Sequence, residues 1–140
     1  NFYLSDVGAQ NIRNYRYKGE DKSLLLKYVT NPIFNKIVTL FPLWLAPNVI
    51  TLAGFLCAVV SFCNIIYFCP LLDGTAPWWA YILQACATIA YDALDAMDGK
   101  QARRTGSSSA LGMLFDHGCD ALNTTISSLS LCATFKLEAG

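Results

Sequence analysis

Val49–Leu72 reads VITLAGFLCAVVSFCNIIYFCPLL, 24 residues without one Lys, Arg, Asp or Glu. A helix rises 1.5 Å per residue and a bilayer core is about 30 Å thick, so about 20 such residues make a spanning helix. The uncharged run reaches back to Ile37, and a water-soluble fold would hardly tolerate 36 consecutive residues of this kind. The whole chain agrees: of its 140 residues 54% are hydrophobic, and its mean hydropathy is +0.38. Charged residues make up 14%, against about 25% in soluble domains. The expected fold class is an all-α integral membrane protein, a helical bundle. The same figures count against disordered, collagen-like and disulfide-scaffold classes. Ten basic and ten acidic residues cancel, which removes the electrostatic case for nucleic-acid binding or a polybasic membrane patch.

Downstream of this stretch, Leu71–Pro77 (LLDGTAP) carries Gly and Pro turn signals, and Trp78 and Trp79 resemble interfacial anchors. A second span is expected from about Pro77 to Met97 and a third from about Ser109 to Phe135, giving three transmembrane helices. Ser107–Ser109 reads as a flexible part of the loop between them. Upstream, Asn31 as N-cap and Pro32 at the first helical position predict a short helix, PIFNKIVTLF, ended by Pro42. It is too short to span. Ile33, Phe34, Ile37, Leu40 and Phe41 can share a face, which suits an amphipathic helix in the membrane interface, with a soluble amphipathic helix as the alternative. Arg13, Arg16, Lys18, Lys22, Lys27 and Lys36 precede the first span, the first connection has no basic residue, and the second holds Lys100, Arg103 and Arg104. The positive-inside rule then puts the N-terminus and the end carrying the aspartates in the cytosol. The chain begins at Asn1 and stops soon after an apolar segment, and it is expected to be a piece of a longer protein. Six cysteines without a C-x-x-C pair, and a single histidine, read as small buried hydrophobes rather than a zinc or redox centre.

Half of the acidic residues fall between Asp92 and Asp120. A charge at the centre of a spanning helix costs about 2.5–3.5 kcal/mol, less near the interface, so five aspartates need an offsetting interaction. Asp95 and Asp98 are i and i+3, and Asp116 and Asp120 are i and i+4, so each pair projects from one face of its helix. Two antiparallel helices can aim these four carboxylates into one volume, where only bound cations would relieve their repulsion. Two Mg²⁺ or Mn²⁺ ions satisfy the charge and prefer oxygen ligands. Gly99 and Ala102 leave the backbone open to close approach, and Arg103 offers a fork of donors suited to phosphate oxygens. Metals beside an arginine favour a phosphorylated substrate and phosphoryl-type transfer at a membrane surface. The bland alternative is that the aspartates sit in water or pair with Lys100, Arg103 and Arg104.

The pattern Asp95-x2-Asp98-Gly99-x2-Ala102-Arg103-x8-Gly112-x3-Asp116-x3-Asp120 resembles the signature of the CDP-alcohol phosphotransferases at every fixed position and spacing. With residue frequencies of about 5–10% each, a chance match is on the order of 10⁻¹⁰. DHGCDA at Asp116–Ala121, DGKQARRT at Asp98–Thr105 and APNVIT at Ala46–Thr51 are similar to the eukaryotic choline and ethanolamine phosphotransferases. The resemblance implies transfer of phosphocholine or phosphoethanolamine from CDP-choline or CDP-ethanolamine to diacylglycerol, releasing CMP, in the endoplasmic reticulum or Golgi membrane. It also implies an enzyme that is often a homodimer. Residues 1–46 would form a cytosolic N-terminal segment, and residues 47–140 the first part of the transmembrane catalytic domain. Asp95, Asp98, Asp116 and Asp120 would bind two Mg²⁺, with Asp95 and Asp116 as bridges. Arg103 would contact the diphosphate and Asn48 the CDP-alcohol, while Gly99 and Ala102 make room for the nucleotide and Gly112 permits close helix packing. For the proton acceptor, Asp120 is often proposed in the wider family, and His117 competes because its ordinary pKa of about 6.5 suits a base near neutral pH. Asp92, one turn before the motif, reads equally as a support for the metal or headgroup site and as a solvated helix end. Three rivals remain: a family member using inositol, serine or glycerophosphate, a cation path through the membrane, and a non-catalytic metal-binding membrane fragment.

Overall fold

The computed structural model describes residues 5–13, 24, 28 and 30–135, and among them every regular element is helical. In chain order these are α1 (Asp6–Arg13), α2 (Asn31–Ile37) continued by a 3₁₀ turn (Val38–Leu40), α3 (Pro47–Phe68), α4 (Trp78–Thr105) and α5 (Ala110–Thr134). The basic residues Arg16, Lys18, Lys22 and Lys27 lie outside the described residues, as does the chain after Phe135.

Local chemistry sets the boundaries. Pro47 opens α3, where its fixed φ and missing N–H cost nothing. The helix stops at Phe68, four residues before the Leu72 expected from hydropathy, because Cys69 turns out of helical geometry and Pro70 cannot continue it. Leu72 takes a left-handed φ of 58° in the following turn. There Asp73 accepts from the Thr75 hydroxyl (2.8 Å) and the Cys69 thiol (3.1 Å). These bonds hold its carboxyl below the ordinary carboxylate value.

α4 runs on well past Met97, so Lys100, Arg103 and Arg104 stand on the helix and not in a connection. It ends where Gly106 adopts φ 65° and the Ser107 N–H returns to the Ala102 carbonyl at 3.0 Å. Two residues later Ser109 caps α5, its Oγ accepting from the Gly112 N–H at 3.0 Å. The serine run is thus a helix stop and a helix cap rather than a slack loop. Asn31 is likewise not a cap: α2 begins at Asn31 itself, with Thr30 before it. The side chain of Asn31 instead accepts from Lys100 Nζ at 2.5 Å.

α3 is the central helix. Its buried residues Thr51, Gly54, Ala58, Ser61 and Ile65 recur every three or four positions, as do Ala80, Gln84, Ala87 and Tyr91 on α4. Small residues let the two backbones approach: a Cβ on Gly54 would lie 3.3 Å from Leu94 Cβ. Ser61 donates to Gln84 Oε1 across the same interface at 2.8 Å. At one end Ile65, Cys69, Ala76, Ala80 and Ala133 close a small apolar core. The other end, where α4 finishes and α5 begins, carries the aspartates. Outward faces are apolar, with Leu52, Leu56, Val60, Ile82, Ile89, Leu122 and Leu131 all exposed. By length and composition α3 is the single described helix able to cross a membrane, with a mean hydropathy of 2.4 over its most apolar window. α4 and α5 differ from it because polar side chains interrupt them along their length: Gln84, Asp92, Asp95 and Asp98 in α4, and Asp116, His117, Asp120, Asn123 and a series of Ser and Thr in α5.

Candidate active site

One cavity of about 460 Å³ opens at the acidic end, between the start of α3, the last turns of α4 and the start of α5. Asn48, Asp95, Asp98, Gly99, Ala102, Arg103, Asp116 and His117 all line it. These are the site residues expected from the sequence, some from spacing and others, Asn48 and His117 among them, from the resemblance, with one exception. Asp120 is not among the lining residues; it accepts a 2.8 Å bond from the Tyr91 hydroxyl. Its Oδ2 lies 3.6 Å from His117 Nδ1.

The helices arrange the acids as the intervals demand. One oxygen each from Asp95, Asp98 and Asp116 lie within 4.8 Å of one another, and so do ligand atoms of Asp116, His117 and Asp120. The two groups share Asp116. Oδ1 of Asp95 and Oδ1 of Asp116 are buried without a hydrogen-bond partner. Orphaned buried carboxylate oxygens are costly, and a hard divalent cation is the ligand that would satisfy them. The residues therefore fit a metal site. The alternative pairing with Lys or Arg is not what the structure contains. Lys100 donates to Asn31 and Asn35. Arg104 donates to the carbonyls of Val38 (2.8 Å) and Phe41 (2.7 Å). Among the described residues the one contact between oppositely charged types within 4.0 Å is His117 with Asp120.

The glycines act through space. A Cβ on Gly99 would meet only Arg103 Nη1, at 3.5 Å, so this wall of the cavity is open. A Cβ on Gly112 would lie 3.4 Å from Asn48 Oδ1 and 3.2 Å from Ser109 Oγ, so the missing side chain lets α3 and α5 converge at Asn48. Asp92 is exposed and is not among the residues that line the cavity.

Sequence reasoning overlooked two supporting residues. Thr51 is buried and donates its hydroxyl to Asp98 Oδ2. Tyr91, 4% exposed, holds Asp120. Both had a signal: Thr51 is one turn after Asn48, and Tyr91 precedes Asp95 by four residues and Asp98 by seven, on the same helix face.

Comparison with known proteins matches the chain to a family. A family model described as CDP-alcohol phosphatidyltransferase matches residues 44–139. Choline/ethanolaminephosphotransferase 2 of Arabidopsis thaliana is 42% identical over 132 residues, covering 94% of this chain and 34% of that protein. Cholinephosphotransferase 1 of Saccharomyces cerevisiae is 39% identical over 132 residues, with the same coverage. Cholinephosphotransferase 1 of Gallus gallus is 44% identical over 134 residues, 96% of this chain and 40% of that protein. The chain spans about a third of the length of the first two relatives. With the family model covering well over half of its length, the chain belongs to the CDP-alcohol phosphatidyltransferase family of transferases.

Proposed function

We propose that the full-length enzyme transfers phosphocholine or phosphoethanolamine from CDP-choline or CDP-ethanolamine to diacylglycerol, releasing CMP and forming phosphatidylcholine or phosphatidylethanolamine. The observation that carries this reading is the pair of orphaned carboxylate oxygens, one from each of two helices, on residues lining an open cavity with Arg103. The relatives' names, choline/ethanolaminephosphotransferase and cholinephosphotransferase, support the choice of alcohol.

Asp95, Asp98, Asp116 and Asp120 are the residues that would hold two Mg²⁺, with Mn²⁺ as the substitute ion. Asp116, common to both ligand groups, would be a bridge. When bound, such ions neutralise a diphosphate and stabilise the departing phosphate oxygen. Arg103 binds the diphosphate with its guanidinium fork, and Gly99 and Ala102 leave the space in which the nucleotide lies. Asn48 orients the CDP-alcohol from the first turn of α3. The diacylglycerol hydroxyl attacks the phosphorus that carries the alcohol, the bond to the CMP oxygen breaks, and the hydroxyl proton passes to His117. Asp120, 3.6 Å from His117 Nδ1, orients the imidazole.

In this reading α3, α4 and α5 all cross the bilayer of the endoplasmic reticulum or Golgi, with α2 in the cytosolic interface. The exposed apolar outer faces support this, as do the exposed Trp78 and Trp79, the latter edge-on to Phe68, at the end remote from the aspartates. α4, at 28 residues, is about 42 Å long, about 12 Å more than the hydrocarbon core, so its last two turns, from Asp98 through Arg103, reach the cytosolic headgroup region, with Asp95 at its edge. Residues 1–46 are the N-terminal segment and 47–140 the first part of the catalytic domain, which the full-length enzyme completes, as a homodimer. The isolated three-span piece is inactive.

The test is incubation of the full-length protein with diacylglycerol and either CDP-choline or CDP-ethanolamine, with and without Mg²⁺. Mg²⁺-dependent CMP release is expected. Its absence with both donors, or release only with inositol, serine or glycerophosphate as acceptor and a CDP-lipid as donor, overturns the reading. Near-normal turnover of His117→Ala overturns the proton-acceptor assignment and leaves that role to Asp120.

A further inference from the structure

Tyr91 has no part in the family signature quoted above, yet it is the residue of α4 that reaches the last aspartate of that signature. Its side chain is 4% exposed, and its hydroxyl donates to Asp120 Oδ1 at 2.8 Å. A buried phenol needs a polar partner, and here the partner comes from another helix, 29 residues on in sequence. With Oδ1 engaged, the second oxygen, Oδ2, is the one that faces His117 Nδ1 at 3.6 Å. That carboxylate also has an oxygen within 4.8 Å of Asp116, with which it can gather a cation. Among the described residues no other side chain of α4 hydrogen-bonds Asp120, and a two-bond side chain without such a partner would sample several rotamers.

We propose that Tyr91 is a positioning residue of this site: its hydroxyl fixes the Asp120 carboxylate in the orientation in which it serves, with Asp116, as a cation ligand. The inference rests on the metal-dependent reading above and deepens it by adding a residue outside the acidic motif. The ring has a separate packing role, since Tyr91 Cδ2 lies 3.5 Å from where a Cβ on Gly54 would stand. Tyr91→Phe keeps that contact and removes only the oxygen, so the hydroxyl can be tested apart from the fold.

The experiment measures binding of Mn²⁺ alone to the full-length protein in detergent, by loss of the free-ion paramagnetic resonance signal. The proteins are wild type, Tyr91→Phe, Asp120→Asn, the double variant and Tyr81→Phe. Tyr81 packs against the apolar core at the other end of α4 and serves as a control for loss of a phenol. Groups that orient metal ligands typically contribute 10- to 100-fold in affinity, so Tyr91→Phe should weaken Mn²⁺ binding about tenfold. The same change in the Asp120→Asn background should alter it by less than about twofold, the additivity error of independent sites. Tyr81→Phe should bind as wild type does. Equal loss in both backgrounds, no loss in either, or equal loss in Tyr91→Phe and Tyr81→Phe overturns the proposal. CMP release is read in parallel. Tyr91-dependent Mn²⁺ binding in a wild-type protein that releases no CMP removes the proposed reaction and keeps this inference, and CMP release with Tyr91-independent binding does the reverse.

Discussion

Thr51→Val is the sharpest single test of how α3 supports the carboxylates of α4. Thr51 is 3% exposed and Asp98 6%, so neither the hydroxyl nor the oxygen it serves has water as a substitute. Valine preserves the shape of threonine and removes the donor, leaving Asp98 Oδ2 to lose its bond inside the protein. A hydrogen bond to a charged group contributes about 1.5–3 kcal/mol, and 1.36 kcal/mol is a factor of ten, so the loss is about 10- to 150-fold. The Pro47 carbonyl, 3.3 Å from the same hydroxyl, adds little, because a helical back-bond of this kind is weak. The loss should appear in the Mg²⁺ concentration for half-maximal CMP release and in Mn²⁺ affinity, since Asp98 would then meet the ion in a less defined orientation. Thr51→Ser keeps the donor and sacrifices one methyl, worth about 0.8 kcal/mol, so it should recover most of the affinity. Wild-type metal dependence in Thr51→Val would refute the reasoning. So would a Thr51→Ser protein as impaired as Thr51→Val, which would make packing, and not the hydroxyl, the active feature.

Gly106→Ala should lower thermal stability by about 1 kcal/mol or a little more, because φ 65° is strained for a residue with a Cβ even though nothing lies within 4 Å of that atom. Gly106→Asn should cost less, and equal melting of all three proteins would count against the helix stop described. Gln101→Leu removes the donor to the Pro42 (3.0 Å) and Leu45 (3.2 Å) carbonyls from a side chain that is 0% exposed. It should cost about 1–3 kcal/mol and speed amide exchange at residues 43–48. Asp92→Asn changes an exposed group off the cavity and should leave turnover and Mg²⁺ dependence within about twofold, the size of ordinary surface effects. Asp95→Asn, measured beside it, should abolish both.

The helical class, the elements α3 to α5 and the convergence of the acids could be read from the sequence because each follows from a local period. Charge-free length gives α3, and intervals of three and four place Asp95 with Asp98 and Asp116 with Asp120. Boundaries were less legible. Hydropathy carried the first helix to Leu72 because Cys69, Leu71 and Leu72 are apolar, whereas backbone geometry ends it at Phe68. Polar residues hid the end of α4, since Lys100, Gln101 and Arg104 resemble a loop until the carbonyls and amides of residues 31–45 are seen to receive them. Helical spacing put Thr51 and Tyr91 on the right faces, but their pairing with Asp98 and Asp120 was not legible. Thr51 and Tyr91 lie 47 and 29 residues away from them, and a periodic pattern contains no information about which helix a hydroxyl will meet.

The tie between the N-terminal segment and the site has its own energetic consequence. α4 presents Tyr91, Asp95 and Asp98 along one face toward the site, and a turn later it grips residues 31–45 through Lys100, Gln101 and Arg104. Asn48 follows that segment directly, so its place opposite the carboxylates is set twice by one helix: through Thr51 to Asp98, and through Gln101 to the Leu45 carbonyl. Either tie can hold the start of α3 while the other is absent, because Pro47 and the first helical turn stiffen the five residues between Leu45 and Thr51. The double variant Thr51→Val with Gln101→Leu should therefore lose more in kcat/KM for the CDP-alcohol than the two single losses combined. Residues sharing a structural element show interaction energies of about 0.5–3 kcal/mol, which is a further factor of about 2 to 150. A four-protein cycle in kcat/KM measures it. Losses that simply multiply would mean that Asn48 is placed by one tie alone, and the singles would show which.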